Sequence, residues 1–160
     1  MSGRERPVVR LHMWLETDEG VFFGVGRVQL LELVDELGSL RAAADRLGMS
    51  YRAAWGKIRK TEKIIGFSLI EKPAGNRGGY RLTEFGKLLV ENFRDWYADV
   101  ETRAVARARE IFPYDAERYR APKGQDASRA LQDAPREARK EDPFSRRSPE
   151  RMVRAASGSR

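Results

Sequence analysis

The stretch "GSLRAAADRLGMSYRAAWGKIRK", residues 38–60, decides the fold. Gly38 stops one helix and Ser39 caps a second over "LRAAADRL"; Gly48 ends that one, and Ser50 caps a third that runs to about Ile64. Helix, tight glycine turn, helix is the skeleton of a helix-turn-helix. Ala43 and Ala44, facing Ala53 and Ala54, let the two helices approach closely, although alanine also favours helix by itself. At about 100° per residue, Ala54, Ile58 and Ile65 define a core direction. Opposite them fall Arg52, Gly56, Arg59 and Lys63, with Lys60 on one flank, Trp55 on the other and Tyr51 nearer the core boundary.

That face is basic. From Leu40 to Leu82 there are ten Lys or Arg against three acids (Asp45, Glu62, Glu71), a net +7 that equals the excess of the whole chain. A cation cluster confined to one segment is the footprint expected for a polyanion partner. Gly56 in a helix interior costs ~1 kcal/mol relative to alanine, and its place on the basic face suggests a close approach there. A B-DNA major groove admits such a helix. Ser50 and Tyr51 at its N-terminus can donate to phosphate, and Arg52 and Arg59 can pair with guanine or phosphate. Trp55 has two readings, contact with a sugar or thymine methyl, or a wedge against the second helix.

Outward from this centre, alternation over residues 8–15 predicts a half-buried strand, and "VFFG" a return strand, giving an N-terminal hairpin. Val28, Leu31, Val34 and Leu37 predict an amphipathic helix over about 26–37. "SLIEKPAGNRGGYRLT" reads as strand, glycine-rich tip with Asn76 and Arg77, strand: a wing over about 68–82. Thr83 caps a long helix to about Phe112, on which Leu89, Phe93, Trp96 and Val100 form a 4-3-4 seam read as a dimer contact. The expected layout is a flexible N-terminus over 1–7, a winged helix-turn-helix domain over 8–112 that includes the helix over about 83–112, and a disordered charged tail over 113–160. The fold class is α+β, mainly helical.

With no cysteine and one histidine, His12, the chain offers no disulfide, no cysteine-based zinc site and few catalytic parts. No catalytic residue, metal site or cofactor is expected, and the glycines at 75–79 open no helix, so a nucleotide loop is a poor reading. No apolar run reaches membrane-spanning length and "MSGRERPVVR" lacks the apolar segment of a signal peptide, so a soluble cytoplasmic protein, bound to the nucleoid when on DNA, is expected.

"GSLRAAADRLGMSYRAAW", "KIRKTEKIIG" and "LTEFGKLLVENF" together resemble the N-terminal DNA-binding domain of ModE-type regulators, the molybdate-responsive winged-helix family. LysR-type regulators share the "GS…AA..LG.S" scaffold and "LTE.G" but differ where Tyr51 and Trp55 stand. The resemblance covers roughly residues 8–110. It implies a dimeric, sequence-specific binder of duplex DNA whose third helix (about 50–64) enters the major groove while the wing touches the flanking backbone. Ser50, Tyr51, Arg52 and Trp55 match its recognition segment, and Gly75, Arg77, Gly78 and Gly79 its wing. Full-length members add oxyanion-binding modules of small β-barrels, of which residues 113–160 show no sign; a molybdate response would then require a separate sensor partner. The alternative is a winged helix for nonspecific DNA binding or protein contact, acting with such a partner.

Overall fold

The computed structural model describes residues 6–75 and 79–120. Helices α1 (Val25–Leu37), α2 (Leu40–Arg46) and α3 (Tyr51–Ile65) are followed by a two-stranded wing, β4 (Ile70–Glu71) against β5 (Arg81–Leu82), and by the long helix α4 (Glu84–Ile111). Local chemistry sets these boundaries. Ser39, Ser50 and Thr83 cap α2, α3 and α4 by accepting from Ala42, Ala53 and Gly86 N–H. Gly38 and Gly66 close α1 and α3, and Gly48 turns the chain between α2 and α3 at φ +65°, where a side chain would be strained.

Val28, Leu30, Leu31 and Val34 of α1 pack with Leu40, Ile58, Leu69 and Phe23 in the centre. Each such aliphatic side chain contributes ~1.5–3 kcal/mol by leaving water. Ala43, Ala44 and Ala54 are fully buried, which brings α2 and α3 together as expected of them, whereas Ala53 is exposed and takes no part in that contact. The wing is held at its base. Leu82 N–H donates to Asp35, Tyr80 N–H to the Gly38 carbonyl, and Thr83 N–H to the Leu69 carbonyl.

The N-terminus differs from expectation. Residues 8–15 are not one strand: β1 (Val8–Val9) and β2 (Trp14–Thr17) are separate, with His12 between them. Only β2 pairs in the hairpin, antiparallel to β3 (Gly20–Gly24), with a register shift at Leu15/Glu16. The backbone of β1 is taken instead by a partner beyond α4. Order continues past Pro113 to β6 (Glu117–Arg118), which pairs in parallel with β1. Arg6 and Pro7 join this contact, Arg6 reaching Glu117 at 2.6 Å and the Pro7 carbonyl accepting from Glu117 N–H. The rest of the expected tail, residues 121–160, lies outside the described residues.

Phe93 also departs from the expected dimer seam. It is 5% exposed, edge-to-face with Phe23 at 5.4 Å, and belongs to the chain's own core. Its neighbours Leu89 and Val100 are half-buried, whereas Trp96 is 41% exposed. Among the described residues no helix is long and apolar enough to cross a membrane, and no three His, Cys, Asp or Glu side chains gather to hold a metal.

Candidate nucleic-acid interface

The outer face of α3 carries Arg52, Gly56, Arg59 and Lys63, all exposed, while Ala54 and Ile58 point inward. Within the described residues Arg52 and Lys63 have no carboxylate partner. An added Cβ at Gly56 would meet nothing within 4 Å, so the space above the helix is open there. Ser50, exposed at the N-terminus, accepts from Ala53 N–H at 3.1 Å and keeps its own hydroxyl proton to donate.

Arg59 is held from two sides. It pairs with Glu62 at 3.0 Å and lies 4.5 Å above the Trp55 ring. Glu62 is only 9% exposed, and its second oxygen accepts from Leu69 N–H at 2.8 Å. One buried carboxylate therefore ties the recognition face to the start of the wing. Trp55 is half-buried against the core and also meets Tyr80, beside β5, at 5.7 Å and 60°. The ring thus joins the recognition helix to the wing.

Lys60 points elsewhere than expected. Its ammonium donates to the Glu19 carbonyl at 2.5 Å, in the turn of the N-terminal hairpin. Thr61 of α3 donates to the Phe22 carbonyl and Arg27 of α1 to the Val21 carbonyl, so β3 is fastened to both helices. Lys57 sits in the same junction. Partial burial, and then the charge of Arg27, hold its pKa below the ordinary lysine value. Asn76 and Arg77, the expected wing contacts, lie outside the described residues.

Two further cations were not singled out as site residues from the sequence. Arg41, at the start of α2, lies 5.0 Å over Tyr51, and Lys72, just after β4, lies 5.4 Å over Tyr80. Ser39, Leu40, Arg41, Tyr51 and Tyr80 line an open cleft of about 350 Å³ between the α2–α3 corner and the wing. Their only signal in the sequence is membership of the basic cluster; nothing local says which ring each cation meets. Arg41, Arg52, Arg59, Lys63 and Lys72 supply a positive surface on α2, α3 and the wing with acids at its margin.

Comparison with known proteins agrees with this geometry. Residues 26–87 match the family described as "Bacterial regulatory helix-turn-helix protein, lysR family". Molybdenum transport protein ModE of Azotobacter vinelandii is 36% identical over 84 residues, 51% of this chain and 31% of that protein. The molybdenum-pterin-binding protein MopA of Rhodobacter capsulatus is 33% identical over 72 residues, 44% of this chain and 27% of its own. The DNA-binding transcriptional dual regulator ModE of Escherichia coli is 28% identical over 92 residues, 56% and 35%. The chain thus spans about a third of the length of these relatives. The DNA-binding domain of CbnR, solved with DNA, aligns over 53% of this chain and 93% of its own at 26% identity, with a TM-score of 0.42. The chain carries a winged helix-turn-helix domain homologous to those of LysR- and ModE-type transcription regulators.

Proposed function

We propose that this protein is a sequence-specific transcription regulator that binds double-stranded DNA as a homodimer, closer in its recognition segment to ModE-type than to LysR-type proteins. The observation that carries the reading is the exposed, acid-poor face of α3, with Arg52, Arg59 and Lys63 around the open site at Gly56. Ser50, Tyr51 and Arg52 stand at the N-terminus of α3, the end by which such a helix meets base edges and phosphates. Lys63, Arg59 and the wing then lie along the flanking backbone. The ModE leaning rests on "GMSYRAAW" and on the identity to the molybdenum-linked relatives. Most of each relative's length lies outside the matched region, so DNA binding alone is carried over. Leu89, Trp96 and Val100 remain the proposed dimer stripe, without Phe93.

Selection of a random duplex pool by the purified protein at physiological salt tests this. Recovery of two inverted half-sites is the expected result, and Arg52→Ala then relaxes preference at one position at a cost of ~1–3 kcal/mol. Salt-sensitive binding with no enrichment overturns sequence specificity in favour of the nonspecific alternative.

A further inference from the structure

Three rings stand along one flank of α3, and each carries a cation from a different element. Arg41 of α2 lies over Tyr51, Arg59 of α3 over Trp55, and Lys72 of the wing over Tyr80, at 5.0, 4.5 and 5.4 Å. All three rings are half-buried and packed against the core, whereas all three cations are exposed. Trp55 and Tyr80 meet edge to face, joining helix to wing. Within the described residues Arg41 and Lys72 have no carboxylate partner; only Arg59 shares one, Glu62.

A salt bridge fixes a cation by neutralising it. The face of an aromatic ring attracts a cation while leaving its net charge intact. Long basic side chains lose rotamer freedom when they bind, and a side chain already held in place loses less. A charge that is held but not cancelled, as at Arg41 and Lys72, suits a phosphate contact, and with Arg59, which Glu62 shares, these cations on three elements form one array only if the elements keep a fixed spacing. The Trp55–Tyr80 contact supplies that spacing.

We propose that Tyr51, Trp55 and Tyr80 are positioning residues for DNA binding, holding Arg41, Arg59 and Lys72 towards the phosphate backbone and fixing the wing against the recognition helix. This rests on the DNA-binding reading above. The rings then govern affinity for any duplex, while Arg52 governs preference among sequences.

The test is a double-mutant cycle on the full chain with a mixed-sequence duplex of about 30 base pairs: Tyr80→Leu, Lys72→Ala, both together, and Tyr80→Phe, with thermal midpoints recorded for each. Tyr80→Leu and Lys72→Ala are each expected to weaken binding about fivefold, and the double variant to stay within about twofold of the weaker single. Tyr80→Phe keeps the ring and stays within about twofold of wild type, which separates the ring from the hydroxyl. Multiplying effects in the cycle, or Tyr80→Phe as weak as Tyr80→Leu, overturn the inference while wild-type binding stands. A wild-type chain that binds no duplex overturns both the reading and the inference.

Discussion

Gly86 and Gly56 are both helical glycines, and their surroundings give them opposite expectations. A Cβ at Gly86 would lie 2.3 Å from the Leu69 carbonyl oxygen, the same atom that accepts from Thr83 N–H at the wing's base. Gly86→Ala, ordinarily a gain in a helix, is expected to cost ~1–3 kcal/mol by forcing the wing away from α4. Gly56→Ala meets open space and is expected to stabilise the fold by ~0.5–1 kcal/mol while weakening DNA binding, since the methyl group stands on the approach surface. Urea denaturation of both variants, with duplex binding for the second, checks the pair. Lys57 offers a test with a pH signature. Because its folded pKa is depressed, its charged form is disfavoured in the folded state by partial burial and by Arg27. At pH values below that folded pKa the unfolded and folded states are both protonated and the penalty is fully present. It fades as pH rises through the depressed value towards the ordinary one, where the unfolded state holds more protons. Lys57→Met, nearly neutral in helix propensity, is therefore expected to raise the thermal midpoint at neutral pH, by an amount that shrinks in alkaline buffer.

The elements with local causes were legible in the sequence. Ser39, Ser50 and Thr83 announce α2, α3 and α4 within three residues of the bond each cap makes, and Gly38, Gly48 and Gly66 stop or turn the chain where they stand. The wing followed from its glycines and its flanking apolar pairs. The pairing of β1 with β6 was not legible, because Val8 and Glu117 meet only through the length of α4 and no local pattern records it. The same limit hid the ring and cation pairs of the interface: the sequence supplies Arg41 and Lys72, but their neighbours are set by the crossing of elements. The β1–β6 contact changes what a truncation should do. Ala116 is 2% exposed and its carbonyl accepts from Arg109 at 2.7 Å, Arg118 pairs with Glu101 at 3.0 Å, and Arg10 lies 3.8 Å over Tyr119. A chain ended at Phe112 loses all of these, and one ended at Arg120 keeps them. The shorter chain is expected to be less stable by ~1–2 kcal/mol, because exposed ion pairs add little and the weight falls on backbone bonds and burial. Equal urea midpoints would show that β6 contributes nothing.

For the whole molecule, α4 faces two ways. Towards its own domain it buries Val90, Phe93 and Val105, and Phe93 closes the core against Phe23. Outward it leaves Leu89 and Val100 half-covered and Trp96 stacked at right angles on Phe93, with much of its indole in water. In the proposed dimer through Trp96 one chain's binding brings its partner's recognition helix to the second half-site, which is then bound as an intramolecular event. The two aromatic residues, three positions apart, therefore separate folding from assembly. Phe93→Ala is expected to cost ~3–5 kcal/mol and to lower stability whatever the oligomeric state. Trp96→Ala should keep the fold within about 1 kcal/mol, because its ring is largely solvated on one side, yet sediment as a monomer at concentrations where the wild type is dimeric. On a duplex with two inverted half-sites it should lose the steep binding isotherm and occupy each half-site independently. A Trp96→Ala chain that remains dimeric would move the seam off this face of α4, and the position of the two recognition helices on DNA would have to be derived from another contact.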